Sequence, residues 1–136
     1  MPRTPYLIRP AQPRDAAAWE RLREQLWEGD DHCGEIAAYF DGEAEEPNEV
    51  LLALDAAGVA VAHIELSLRE DVEGLVGVRT GYIEGLFVET SHRASGVTQQ
   101  LLRAAEAWSR EQGCAAFASD RDDRVIVHAR YARQPA

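Results

Sequence analysis

Apolar residues fall in short runs along this chain, with a period near two in some stretches and three to four in others. Charged, glycine- or proline-marked breaks separate them. Tyr6-Leu7-Ile8-Arg9 predicts a first strand that Pro10 ends. Pro13 and Asp15 then open a helix from about Arg14 to Glu28. Trp19, Leu22 and Leu26 recur there at helical spacing and form a core stripe, while Trp27 points off it. A short helical segment follows from Cys33 to Phe40, then a charged loop from Asp41 to Asn48. Glu49–Leu54 and Val59–Arg69, joined by Asp55-Ala56-Ala57-Gly58, predict an antiparallel hairpin. Glu70–Arg79 reads as a loop and Thr80–Val88 as the central strand. Val97, Leu101, Leu102, Ala105 and Trp108 stripe one face of a helix that stops near Gln112-Gly113. Cys114–Ser119 is a fifth strand, and Asp120-Arg121-Asp122-Asp123 is expected to cap a last helical segment, Arg124 to about Tyr131.

Strands interleaved with helices over 136 residues, with no repeats or linkers, predict a single α/β domain spanning residues 1–136. Hydrophobic residues at 46% and charged ones at 28% suit a globular core. The net charge of −10 argues against nucleic acid and against anionic membrane, both of which need a basic surface. It suits a cationic ligand, and equally a solvated acidic surface. With no bilayer-length apolar run and no basic-then-apolar leader, a cytoplasmic protein is expected. The two cysteines, Cys33 and Cys114, lack metal-like spacing, and the four histidines are scattered, so no metal centre is expected.

The most informative stretch is Tyr82 to Trp108: a strand, a break at Glu89-Thr90-Ser91-His92, then Arg93-Ala94-Ser95-Gly96 opening a helix. A glycine turn at a helix start leaves backbone N–H groups unpaired, and the helix dipole adds positive charge there. With Arg93 alongside, this is an anion site.

Arg93-Ala94-Ser95-Gly96-Val97-Thr98 resembles the acetyl-coenzyme A loop of the GNAT superfamily of N-acetyltransferases, with Thr98 where the pattern has a small residue. Ile8-Arg9-Pro10, Trp19, Leu22-Arg23, Leu26-Trp27, Ile83-Glu84-Gly85-Leu86, His92-Arg93, Ser95-Gly96-Val97 and Phe117-Ala118-Ser119-Asp120 are similar to its aminoglycoside 6′-N-acetyltransferase branch. The likeness runs from Ile8 to about Ala129. It implies a mixed, mostly antiparallel sheet of about five or six strands with helices on both faces. It also implies acetyl-coenzyme A as co-substrate and direct transfer to a primary amine, with an aminoglycoside as acceptor. On that reading Arg93, Ala94, Ser95, Gly96, Val97 and Thr98 hold the pyrophosphate, and the Val88 backbone borders the pantetheine arm.

An amine attacks a thioester only as the free base, so the site must accept a proton. Glu84, just before a glycine that can mark a bulge in the central strand, is the first candidate. A strand-face carboxylate paired with an arginine is the competing reading. Asp120, at the end of the fifth strand, is the second candidate, against plain helix capping. Trp27 can stack on a sugar ring or cationic ligand, or close the edge of the core. His63 and Glu65 alternate on one strand face and can line the site, although a satisfied histidine at a sheet surface is the preferred reading. By resemblance Tyr131 stands on the last helix as a general acid toward the coenzyme thiolate, with Pro135 at the family's glycine position.

In the resembled family a further strand covers the sheet beside strand five, whereas this chain is expected to lack it. An open edge near Val125, Ile126 and Val127 then predicts a homodimer. Two other functions stand beside the first: transfer to a polyamine or other small amine, and a non-catalytic acyl-coenzyme A-binding module.

Overall fold

The computed structural model of the protein describes residues 6–131. Its six strands form one sheet in chain order: β1 (Leu7–Pro10), β2 (Glu49–Leu54), β3 (Ala60–Arg69), β4 (Thr80–Val88), β5 (Ala116–Arg121) and β6 (Arg124–Arg130). All neighbours are antiparallel except β4 and β5, which are parallel and joined by helix α3 (Val97–Glu111). Helices α1 (Ala16–Leu26) and α2 (His32–Phe40) fill the connection from β1 to β2. A single 3₁₀ turn, Pro13–Asp15, precedes α1, so the predicted start at Arg14 falls in that turn.

Strand alternation distributes the core over two faces. Leu51 and Ala53 of β2, Ala62, Ile64 and Leu66 of β3, and Phe117 of β5 pack against Val97, Leu101 and Ala105 of α3. The intervening β2 residues Val50, Leu52 and Leu54 meet Trp19, Leu22 and Ile36 of the other two helices. The sheet is therefore buried on both sides, as the helix stripes predict. On the α3 face a Cβ at Gly81 would stand 1.9 Å from Ser109 Oγ, so only glycine lets the helix lie this close to β4. At the sheet's first edge, Arg9 bonds both carboxylate oxygens of Asp15 at 2.6 and 3.0 Å, tying β1 to the start of α1.

The last segment departs from expectation. Arg124–Arg130 is strand β6, not a helix, and it pairs with β5 from Arg121↔Arg124 to Ala116↔Arg130. Asp122 and Asp123 have φ of 50° and 65°, the backbone of a two-residue hairpin turn rather than a helix cap. The β-branched run Val125-Ile126-Val127 favours an extended chain in the same sense. The open edge expected beside β5 is thus covered by β6, which becomes the new edge. Ile126 and Val127 on it are 36% and 41% exposed.

Candidate active site

The site begins with an irregularity in β4. Across β3 and β4 the register passes from Glu65↔Gly85 to Leu66↔Ile83, so Glu84 is an extra residue, a bulge where the glycine at 85 predicted one. The bulge resets the alternation: Ile83 and Val88, five positions apart, both join the α3-side core, and Phe87 turns to the opposite side. Pairing of β4 with β5 stops at Ile83↔Ser119, whereas β4 continues along β3 to Val88. From Glu84 onward, the side of β4 that faced β5 is open.

Gly85 is required here for a spatial reason. A Cβ on it would lie 2.4 Å from the Trp27 indole, which rests on the strand backbone at the bulge. Buried His32 helps hold that end of α1 through a 2.7 Å bond to the Trp27 carbonyl. Beneath the indole lies a cavity of about 340 Å³, walled by Trp19, Trp27, Glu35, Glu46, Glu65 and Glu84. Acidic and aromatic together, these walls suit a hydroxylated ring bearing cationic amines.

Two arginines that sequence reasoning left without a role organise these carboxylates. Arg23 lies with Trp19 and Leu22 on the buried side of α1, where a guanidinium needs an anionic partner. It donates through Nε and Nη2 to Glu65 at 2.8 and 3.2 Å, and its Nη1 also bonds Glu35. Glu65 Oε2 further accepts from Trp19 Nε1 at 3.1 Å and bonds His63 Nε2 at 3.0 Å. His63 and Glu65 are thus buried beneath α1 rather than at a sheet surface; the histidine bonds Glu65 through Nε2 while its buried Nδ1 finds no partner, and of the two only Glu65 lines the cavity. Burial opposes ionisation of Glu65, but the His63 and Arg23 contacts outweigh it and hold its carboxyl below the usual range. A charged residue on a helix's apolar stripe was the available signal for this network.

The second arginine, Arg69, ends β3 and donates from Nε and Nη2 to the two oxygens of Glu84, at 2.7 and 2.8 Å. The competing reading of Glu84, a strand carboxylate paired with an arginine, is therefore realised in the geometry, although Glu84 also faces the cavity. Arg69 stacks over Tyr82 at 4.7 Å. Burial, then the Asp120 carboxylate, raises the Tyr82 hydroxyl's pKa. Asp120 belongs to β5 and caps no helix. It lies on the far side of the strand opening from Glu84, with Tyr82 close to both.

Tyr131 is not part of this assembly. It follows β6, its N–H bonded to the Ala115 carbonyl at 2.9 Å, level with the first residues of β4 and β5. That is about 15 Å along the strands from Glu84, at ~3.3 Å per residue. There it flanks a separate cavity of about 860 Å³ between Arg79, Arg110 and Arg130. Burial and neighbouring Glu106 push its hydroxyl up to about 12. Pro135 lies outside the described residues.

At the opposite end of β4, the chain turns into α3 through Ala94 and Gly96, with φ of 66° and 94°. Gly96 has no side chain to cap the helix start, and Val97 N–H makes only a long 3.4 Å contact to Ser95 Oγ. Arg93 Nε donates to the Val88 carbonyl at 3.0 Å, leaving the rest of an exposed guanidinium beside that helix end. Tyr6 from β1's approach bonds both His92 and Ser95, at 2.8 and 2.9 Å, and steadies the loop. Helix-start amides, a left-handed glycine and an exposed arginine fit a pyrophosphate, and the open flank of β4 leads from there to the cavity. Among the described residues no group of three or more metal-binding side chains converges, and no helix is long and apolar enough to cross a membrane.

A profile of the Acetyltransferase (GNAT) family matches residues 14–134. The chain belongs to this family. It is 38% identical over 117 residues to an aminoglycoside N(6′)-acetyltransferase type 1 of Klebsiella aerogenes, covering 84% of this chain and 77% of that one. A protein of the same name from Stenotrophomonas maltophilia is 41% identical over 90% of this chain and 80% of its own. Among solved structures, AAC(6′)-Iy in complex with the bisubstrate analogue CoA-S-monomethyl-acetylneamine superposes with a TM-score of 0.77. It is 30% identical and covers 89% of this chain and 82% of that one. The GNAT arrangement of a mixed, mostly antiparallel sheet between helices is therefore this protein's fold.

The buried Glu65 network makes this fold sensitive to acid. Glu65 titrates lower in the folded protein than the ordinary 4.5 of an unfolded chain, so its stabilisation is complete above that value and is lost as pH falls through the folded one. Glu65→Gln should cost about 3 kcal/mol or more near neutrality, because it leaves Arg23 buried and underpaired. The gap from wild type should close as pH drops below 4.5. Urea unfolding from pH 7 to 3 measures this, and a gap that stays constant over the range would refute it.

Proposed function

We propose that this protein is an acetyl-coenzyme A-dependent N-acetyltransferase that acetylates the 6′-amino group of aminoglycosides by direct transfer. The observation that carries this reading is the continuous open flank of β4, with a glycine-opened, arginine-flanked helix start at one end and an acidic, tryptophan-walled cavity at the other. The aminoglycoside acetyltransferases of similar sequence and fold support the choice of acceptor.

In this mechanism, backbone N–H groups from Arg93 to Thr98, with the Arg93 side chain, hold the pyrophosphate. Peptide groups of β4 up to Val88 are free of β5 and border the pantetheine arm. Bound acetyl-coenzyme A supplies the acetyl group as a thioester. Trp27 packs against the ring of the acceptor and orients its amine toward the bulge. Glu84, fixed by Arg69, receives the ammonium form, and Glu84 or Asp120, directly or through water, takes the proton that must leave before attack. As the nitrogen–carbon bond forms, the carbon–sulfur bond breaks and the electron pair departs on sulfur. A thiolate needs little acid help because thiols ionise near pH 8.5, so Tyr131, remote from the bulge, has no required part. The acidic chain and its acetyl-coenzyme A requirement fit the cytoplasm.

Purified protein given acetyl-coenzyme A should release coenzyme A thiol when tobramycin or kanamycin is added. Folded, cofactor-binding protein that shows no aminoglycoside-dependent thiol release would rule the reading out. Glu84→Gln should lower turnover roughly 10²-fold while changing the acetyl-coenzyme A KM far less, since the carboxylate acts on the amine. Asp120→Asn should show a smaller drop. Wild-type rates in both variants would remove these carboxylates from the mechanism.

Arg93→Ala should weaken acetyl-coenzyme A binding by about 1–3 kcal/mol, the range of a charge-assisted contact to phosphate. It should leave the ranking of acceptors as it was. Calorimetric titration reads this directly, and unchanged affinity would refute the loop assignment.

We further infer a homodimer that covers the outer edge of β6, where unpaired strand groups and the exposed side chains of Ile126 and Val127 meet solvent. Light scattering at micromolar concentration should give twice the 15.1 kDa chain mass. A compact, active monomer would overturn this.

A further inference from the structure

None of the carboxylates facing the cavity under Trp27 stands alone. Arg23 bonds Glu65 and Glu35 together, and Arg69 holds Glu84 while its Nη2 lies 3.7 Å from Glu46 Oε2. The acidic wall is therefore two Glu–Arg–Glu groups, each with two carboxylates to one guanidinium; His63 also meets the first at Glu65, and Asp71 adds to the field at Arg69. In each group the arginine joins an inner carboxylate to an outer one. The inner side chains, Glu65 and Glu84, are 1% and 20% exposed, and the outer ones, Glu35 and Glu46, are 56% and 52% exposed.

This asymmetry has a chemical consequence. Each inner carboxylate holds its arginine through two nitrogens, so the arginine stays paired if the outer carboxylate turns away. Losing the outer contact strands no buried charge, whereas losing Glu65 would leave Arg23 buried and underpaired. The outer carboxylates, on α2 and the loop after it, are therefore the ones free to meet a cation arriving from solvent.

We propose that Glu35 and Glu46 determine acceptor specificity: each turns from its internal arginine to one ammonium group of the acceptor, so the site selects acceptors that carry at least two besides the amine that reacts. This rests on reading the cavity as the acceptor site of an N-acetyltransferase. It assigns the preference for polycations to two exposed side chains, and leaves Glu65 to hold the geometry beneath α1 and Glu84 to meet the reacting amine.

The test compares tobramycin with 6-amino-6-deoxyglucose, a sugar with a single ammonium group, as acceptors for wild type, Glu35→Gln and Glu46→Gln. For each variant the tobramycin KM should rise roughly fivefold or more relative to any rise for the amino sugar, with the effect in KM rather than kcat. The double variant should lose most of the selectivity ratio, and the salt dependence of the tobramycin KM should flatten with each charge removed. Equal rises for both acceptors would mean that the residues only support the pocket, and a loss confined to kcat would place them in the chemistry. Either result overturns the proposal. Titrating tobramycin into the protein without acetyl-coenzyme A separates the two readings. Binding that weakens in the variants, with no turnover in wild type, would sink the activity and keep the selectivity. Turnover with the same tobramycin affinity in all variants would do the reverse.

Discussion

One extra residue in β4 governs the geometry of this protein. Without the bulge at Glu84, strict alternation would put Ile83, Gly85 and Phe87 on one face, and the α3-side core could not hold both Ile83 and Val88. With it, each half of the strand buries its apolar residues correctly. The point of mismatch also becomes the place where β5 parts from β4. Core packing on both faces thus enforces an opening in the sheet that hydrogen bonding alone would close. The resting of Trp27 on Gly85 adds a second constraint, because the indole occupies the space a side chain would need. A site built this way is held by the core rather than by its own loops.

Charge is arranged around the opening with similar economy. A chain of net charge −10 places arginines at its two most demanding positions, one under α1 and one at the end of β3. A buried pair such as Arg23–Glu65 adds little net stability, since desolvation offsets most of its Coulomb energy. Its effect is on position. Glu65 Oε2 meets groups from α1 and from its own strand, so the spacing between that helix and the sheet, and with it the depth of the cavity, depends on one carboxylate.

Much of the site was legible in the chain. Gly85 signalled the bulge, and Arg93 to Gly96 signalled a glycine turn that opens a helix with an arginine beside it. Trp27, off the apolar stripe of α1, signalled an aromatic wall. Each of these signals is local: a residue type at a fixed offset from a turn or a helical face. Two readings failed for one shared reason. Tyr131 and the Asp120 cap were both placed by assuming a helix after β5, and the paired positive φ values at Asp122 and Asp123 make a hairpin there instead. Aspartate is common both at helix starts and in tight turns, so its presence does not separate the two. The β-branched run that follows it does, and it favours the strand.

What the sequence determined by itself was the order and type of the elements from β1 to β5, their faces, and the chemistry of the turn into α3. Periodicity, glycine and proline act over a few residues and need no knowledge of the rest of the chain. What only the tertiary structure decided was which charges meet. Arg23 finds Glu65 from 42 residues away and Arg69 finds Glu84 from 15. Tyr82 lies beside Asp120 because a crossover helix returns β5 parallel to β4. Side chains of this kind carry no sequence signature of their partners, because any buried arginine accepts any carboxylate that the packing brings within reach. The cavity's walls were readable one residue at a time; their pairing was a property of the fold.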